Sequence, residues 1–282
     1  MNNQKVILIT GCSSGFGLLT AVRLAAKGHF VWATMRDLSR KKPLEDALAS
    51  RNARAYIREL DVTKASSIKN VIEEIQKTHF HIDVLINNAG YGMAGFFEDL
   101  TEEDIRSQME VNFFGVQNVC REVIPVMRAR SKGRIINISS IAGQIASPCL
   151  GAYNASKWAL EGFSESLYSE LGLFGISVVL VEPGSYPTKI FSENAQYAAR
   201  FDHSQSPYYL FSQKLKNIAQ KYTGKLNRDP EDVARLIENI ISRSHPRLRY
   251  VSDLSSWLRI VIQKIMPPRL FSYIFRRFAY AN

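Results

Sequence analysis

The stretch Lys5–Gly17, KVILITGCSSGFG, decides the fold. KVILIT is a continuous apolar run closed by a turn signal, the pattern of a strand buried on both faces. Gly11, Gly15 and Gly17 follow as G-x-x-x-G-x-G, with Ser13, Ser14 and Phe16 between them. Small residues let a backbone come close to a phosphate. The helix that starts behind them offers free N–H groups and the positive end of its dipole. The spacing differs from G-x-G-x-x-G, and a tight strand-to-helix turn would also account for it. GLLTAVRLAAKG continues as a helix that closes at Gly28, a residue suited to a C-cap.

Outward from this stretch the alternation repeats. FVWATM, ARAYIREL, IDVLINN, GRIINIS and ISVVLVEP read as strands, and LRYVS as a last one. SSIKNVIEEIQKT reads as a helix. Thr101 with Asp104 caps a long helix towards Met127. A helix carrying Tyr153 runs to about Phe174. Asp229-Pro230-Glu231 opens another, with a cap residue, a proline at the first position and acids in the first turn. Strands alternating with helices imply an α/β fold, a doubly wound parallel sheet in three layers. The expected arrangement is one domain over residues 1–253 and an extension over 254–282.

The chain has 282 residues, 46% hydrophobic and 22% charged, enough for a large core. Cys12, Cys120 and Cys149 form no C-x-x-C pair and are odd in number, so a reducing, cytoplasmic setting is expected. The N-terminus lacks the apolar run of a secretory signal. No stretch reaches the ~18 apolar residues of a spanning helix. The net charge is +10, but residues 247–282 carry seven basic residues against one acid. The rest is nearly balanced, which argues against a nucleic-acid groove.

Residues suited to chemistry recur at the predicted strand ends, where such sheets bind ligands. They are Asp61 and Val62 in LDVT, Asn88, Ala89 and Gly90 in NNAG, Asn112 in VNFFG, Ser140 in ISS, and Pro183, Gly184 and Thr188 in PGSYPT. In GAYNASKWAL, Tyr153 and Lys157 stand four apart, hence on one helix face. A phenol titrates near 10, and a neighbouring cation stabilises its phenolate. His79 and His81 form an H-x-H pair with no further ligand in view, so no metal site is expected. Cys149 lacks a histidine partner and reads as a pocket wall. Cys12 reads as a small loop residue through which an alkylating reagent would block the loop.

Taken in order, T-G-x-x-x-G-x-G, N-N-A-G, Asn112, Ser140, Y-x-x-x-K and P-G resemble the short-chain dehydrogenase/reductase family over about residues 5–190. The resemblance is nearest to its hydroxysteroid- and retinol-dehydrogenase-like branch. It implies a Rossmann-type fold and direct hydride transfer between a nicotinamide cofactor and a ketone or secondary alcohol. Tyr153 would be the general acid/base. Lys157 would support it, and both residues would also line the cofactor, Lys157 by hydrogen-bonding the nicotinamide ribose. Ser140, thirteen positions before Tyr153 and preferred to Ser139 for that spacing, would hold the substrate oxygen. Asn112 would position a water linking Lys157 to solvent. The cofactor would lie along Gly11, Ser13, Ser14, Gly15, Phe16 and Gly17, with Asp61 and Val62 at the adenine, Asn88, Ala89 and Gly90 beside it, and Pro183, Gly184 and Thr188 at the carboxamide. A homodimer or homotetramer would form around helices 101–127 and 151–174.

The end of strand two bears on the choice of cofactor. An acid there bonds the ribose 2′-OH of NAD, whereas an arginine suits the 2′-phosphate of NADP. By the family's pattern that position is Met35, followed by Arg36, so NADP(H) is expected over NAD(H). Asp37 follows directly and leaves a second arrangement open. Residues 185–226 hold eight aromatics, about twice an even share: Tyr186, Phe191, Tyr197, Phe201, Tyr208, Tyr209, Phe211 and Tyr222. They read as a cover over a bulky apolar substrate or as an ordinary packed insertion. In the tail, Leu254, Trp257, Leu258, Val261, Ile262 and Ile265 mark one helical face. Beyond Pro267-Pro268, Leu270, Phe271, Ile274, Phe275 and Phe278 mark a second, beside Arg276 and Arg277. Such helices dock on the body, cover the pocket or lie on a membrane surface. A catalytically silent cofactor-binding regulator and a membrane-surface lipid-handling protein are the alternative functions.

Overall fold

A computed structural model describes residues 4–187, 196–225 and 228–280, the side chains of 219–225 and 278–280 excepted. The first strand, β1 (Val6–Ile9), is buried along its whole length. Its neighbours in the central sheet are β2 (Phe30–Met35), β3 (Tyr56–Glu59), β4 (Val84–Asn87), β6 (Gly133–Ile138), β7 (Ile176–Glu182) and β9 (Arg249–Val251). All seven run parallel, in the order β3-β2-β1-β4-β6-β7-β9. Two short strands, β5 (Met93–Ala94) and β8 (Gln196–Tyr197), pair separately.

Side-chain alternation along β1 explains its unbroken apolar run. Ile7 and Ile9 face a layer made of α1 (Gly15–Ala26), α2 (Lys42–Ser50) and α8 (Glu231–Ser242). Val6 and Leu8 face the opposite layer, which holds α3 (Ala65–His79), α5 (Gly115–Arg128) and α6 (Gly151–Gly172). With both faces covered, each strand needs apolar residues throughout. Each such side chain contributes ~1.5–3 kcal/mol by leaving water.

The structure departs from the sequence reading in three places. Residues 101–127 do not form one helix. Thr101 and Asp104 make the expected reciprocal cap, and α4 (Glu102–Met109) follows. A π-helical turn, Glu110–Phe114, then interrupts before α5 begins. The helix α2 carries only Leu44 and Leu48 as buried residues, too sparse a pattern to signal itself. The aromatic segment packs on the loop after β4: Tyr208 stacks on Phe96 with ring centres 4.6 Å apart, and Ser206 donates to Asp99 (2.7 Å). It continues as α7 (Tyr209–Lys225). Phe191 and the Tyr222 side chain lie outside the described residues.

The third departure is the tail. Helices α9 (Leu254–Ile265) and α10 (Pro268–Tyr280) form on either side of the proline break. Yet α9 docks through Ser256 and Ile260, not through the apolar face that its periodicity marks. Asp253 caps the helix by accepting from Ser256 N–H and Ser256 Oγ. Gly184, whose missing side chain leaves room for Ser256, fixes that residue inward. Ile260, one turn on, therefore lands against Ile141 and Ile145. Trp257, Leu258, Ile262 and Ile265 are thereby rotated into solvent.

Candidate active site

The order in which the chain adds strands reverses between β1 and β4, and the crevice outside their carboxyl ends is where such folds bind ligands. The glycine turn sits there. Gly11 has φ +73°, and a Cβ on it would stand 2.7 Å from the Ala89 Cα. Asn88 staples the two loops together. Its amide donates to the Thr10 and Gly11 carbonyls (2.9 Å each), while the Asn88 and Ala89 N–H groups donate to Thr10 Oγ1 (3.0 Å each). Gly15 differs: it has φ +58° and a Cβ there would meet nothing within 4 Å. Ser14 precedes the first turn of α1, which has no acidic residue. An open glycine beside an unopposed helix N-terminus fits an anionic pyrophosphate. Cys12 is fully buried and its thiol is pushed up to about 12 by that burial, an environment that disfavours the exposed thiolate on which the expected alkylation depends. Phe16 packs edge-on against Tyr186.

Met35 is buried at the end of β2, so no carboxylate stands at that position. Arg36 is exposed. Asp37 is engaged within its own loop, accepting from Ser39 N–H (2.9 Å); hydrogen bonds from the Ser39 hydroxyl and then its N–H hold the carboxyl below the usual range. Asp61 is likewise engaged, accepting from Thr63 N–H (3.0 Å) and Thr63 Oγ1 (2.7 Å). Val62 is buried against Gly115. At the far end of the crevice the Pro183 carbonyl accepts from Ile141 N–H (3.1 Å), and Gly184 N–H donates to Ser252 Oγ (3.3 Å). Thr188 lies outside the described residues.

Helix α6 starts just past the Ser140 loop and carries Tyr153 and Lys157 on its buried side. Ser140 hydrogen-bonds the Tyr153 hydroxyl, whereas Ser139 faces Glu161. Lys157 Nζ donates to the Ile138 carbonyl (2.9 Å) and lies 5.8 Å from the Tyr153 ring centre. Burial pushes the phenol up to about 12 and the ammonium down to about 8. The expected lowering of the phenol by Lys157 is therefore not seen, because desolvation dominates and the ammonium points to a carbonyl. Asn112, in the π-turn, is fully buried. Its amide accepts from Tyr91 N–H (3.1 Å) and donates to Tyr91 O (3.0 Å) and Ser156 Oγ (3.1 Å). With the side chain so committed, any water held by Asn112 falls to its main chain. Gly90 has no Cβ because one would stand 3.0 Å from Asn112 Oδ1.

The histidine pair diverges: His79 packs into the Phe30, Trp32 and Tyr56 rings, and His81 pairs with Asp83 (3.2 Å). Among the described residues no three metal-ligating side chains cluster. Cys149 is half-buried with its thiol pushed up to about 12, a wall and not a nucleophile.

The short chain dehydrogenase family model matches residues 5–198. The chain belongs to the short-chain dehydrogenase/reductase family. It is 40% identical to an uncharacterized oxidoreductase, YusZ, of Bacillus subtilis, over 94% of this chain and 95% of that one. It is 38% identical to a 3-ketodihydrosphingosine reductase of Bacteroides thetaiotaomicron, over 97% of both. It is also 36% identical to human retinol dehydrogenase 8, over 89% of this chain and 82% of that one. A short-chain dehydrogenase structure from Streptomyces avermitilis shares 31% identity at TM-score 0.79, over 99% of this chain and 97% of that one. One from Burkholderia phymatum in complex with NAD shares 25% at 0.81 over 93% of both. A metagenomic member in complex with NADP shares 25% at 0.69, over 89% and 98%. The protein is thus an NAD(P)-dependent dehydrogenase/reductase.

This short-chain dehydrogenase also has a buried charge cluster directly behind Lys157 that its motifs do not announce. Glu161, one turn on, accepts from Arg249 Nε (3.1 Å). Glu182, fully buried at the end of β7, lies 3.4 Å from the same guanidinium and accepts from the Gln144 amide. One arginine between two buried carboxyls cannot support both charges, and Glu182 is pushed up to about 8 by desolvation and by Glu161. The signal was in the sequence: the four-residue spacing of Tyr153 and Lys157 continues to Glu161.

Proposed function

We propose that this dehydrogenase works as an NADP(H)-dependent reductase of ketones on bulky apolar substrates. The observation that carries the reading is the Ser140–Tyr153–Lys157 array, with the phenol held protonated by burial. A protonated phenol beside a hydroxyl is ready to donate to a carbonyl oxygen, which is the demand of reduction. Ser140 would hold that oxygen and Tyr153 would pass it the proton. Lys157, kept largely cationic at neutral pH with help from Glu161, would stabilise the phenolate left behind. Asn112 ties the loop after β4 to α6 and so keeps the array in register.

The bound nicotinamide supplies the hydride. Gly11, Ser13, Ser14, Gly15, Phe16 and Gly17 would hold its pyrophosphate, Asp61 and Val62 the adenine, and Asn88, Ala89, Gly90, Pro183, Gly184 and Thr188 the nicotinamide half. Arg36 would read the 2′-phosphate. Met35 is buried at the family's acidic position, and the exposed Asp37 is engaged by Ser39 of its own loop, which favours Arg36 in that role. Residues 185–226, of which Gln196, Tyr197 and Tyr208 pack on the loop after β4, would cover the substrate. The similarity to a 3-ketodihydrosphingosine reductase and to retinol dehydrogenase 8 supports a long apolar substrate.

The test is a parallel fluorescence titration with NADPH and NADH, followed by turnover of 3-ketodihydrosphingosine, all-trans-retinal and a small ketone. Tighter NADPH binding that Arg36→Ala weakens by roughly tenfold, with little change for NADH, is expected, since a lost charged hydrogen bond is worth about 1.4 kcal/mol or more. A preference for NADH, or turnover of the small ketone alone, would overturn the corresponding half of the proposal.

A further inference from the structure

We propose that α9 and α10 form a docking surface for anionic membranes, with their outward apolar side chains sunk into the lipid and Arg269, Arg276 and Arg277 of α10 at the headgroups. Among the described residues, seventeen large hydrophobic side chains are exposed, and eight of them lie between positions 254 and 274. Leu254 and Ile265 are 77% and 76% exposed. Trp257, Leu258, Ile262 and Ile274 are exposed by about half. Scattered exposed leucines are normal, but a contiguous patch on two successive helices marks an interaction surface.

The docking of α9 makes this side the outer one. Asp253, Ser256 and Ile260 anchor the helix from within. Arg259 donates to Ser147 Oγ (3.1 Å), Gln263 to the Ala146 carbonyl (2.6 Å) and Lys264 to Gln144 Oε1 (2.7 Å). The helix therefore spends its polar side on the protein and offers its apolar side outward, the reverse of an ordinary surface helix.

Charge selects the occupant. Residues 254–282 contain Arg259, Lys264, Arg269, Arg276 and Arg277 and no acid. A second copy meeting this face about a two-fold axis would set two such tails against each other without a compensating carboxylate. An anionic bilayer offers both what the face lacks: hydrocarbon for the apolar side chains and negative charge for the arginines, at about 1 kcal/mol each. Trp257 suits the headgroup boundary. At twelve and thirteen residues, and with no helix among the described residues long and apolar enough to cross a membrane, the pair lies on the bilayer and does not span it. The contact brings the membrane next to the 144–147 loop, which connects Ser140 to Tyr153. The binding itself is independent of the reaction proposed above.

The experiment is co-sedimentation of the full chain with phosphatidylcholine vesicles, with and without phosphatidylglycerol, at low and high salt. Two double variants are compared, Leu258→Asp/Ile262→Asp and Arg276→Glu/Arg277→Glu, each checked for unchanged melting temperature and cofactor binding. The full chain should pellet with phosphatidylglycerol vesicles and be released by salt. Each double variant should need at least about tenfold more lipid. Absence of sedimentation with either vesicle, or sedimentation that neither variant weakens, would overturn the proposal. A fall in solution mass of the Leu258→Asp/Ile262→Asp variant by light scattering would also overturn it and assign the face to a protein contact.

Discussion

The same burial moves Tyr153 and Lys157 in opposite directions, because desolvation favours whichever form is neutral. At pH 7 the phenol keeps its proton and the amine is still mostly charged. Tyr153→Phe removes the donated proton and leaves the ring, so kcat should fall by about 10²–10⁴-fold with cofactor affinity unchanged in the fluorescence titration. Lys157 should set the alkaline limb of the kcat profile, since above about 8 it loses the charge that stabilises the phenolate. Glu161 opposes the downward shift of Lys157. Glu161→Gln should therefore move that limb to lower pH, and a profile that stays in place would rule the coupling out. The pair itself was legible from spacing and residue type alone. Its depth was not: a carboxylate one turn further reads as a solvated helix face until Gly143 and β7 are seen to close over it.

At the scale of elements, the site depends on loops tied to each other. Asn88 holds the glycine turn with two side-chain hydrogen bonds, to the Thr10 and Gly11 carbonyls. Asn88→Ala leaves them short of a donor, a loss of roughly 1–3 kcal/mol. A drop in melting temperature should accompany weaker cofactor binding in the same variant, and a drop in one without the other would separate the turn from the cofactor site. The junction of β7, α6 and β9 carries a second prediction. Burial and then the neighbouring Glu161 push the Glu182 carboxyl up to about 8, with Arg249 beside it and Gln144 donating to it. A raised carboxyl stabilises the fold fully below the unfolded value and loses that contribution as pH rises through the folded one. The melting temperature should thus decline between about pH 5 and 8, and Glu182→Gln should flatten that decline. Regular strands and caps were legible here because period and cap chemistry are local. The π-turn at Asn112 was not, since it is imposed by the bonds from its amide to Tyr91 and Ser156 across the site.

For the whole molecule, two groups of exposed apolar side chains matter that local sequence does not distinguish. The tail group was visible as a periodic face, but which way it turned was decided by Ser256 seating beside Gly184, a contact between residues 72 positions apart in sequence. The second group lies on the elements predicted to meet in an oligomer: Phe114 in the π-turn, and Trp158 and Tyr168 on α6. Trp158 is 52% exposed, one residue past Lys157, on the outer side of the helix whose inner side builds the site. A two-fold contact uses the same patch on both subunits, so a single substitution acts twice. A buried tryptophan is a frequent interface anchor, worth about 2 kcal/mol or more. Trp158→Glu would replace that anchor with a carboxylate on each side of the contact. The mass by light scattering should fall to the 31.9 kDa monomer, while the melting transition and the NADPH titration stay recognisably those of a folded protein. An unchanged mass would place the subunit contact elsewhere. A change confined to the tail variants would move it to α9 and α10 and remove the membrane surface with it.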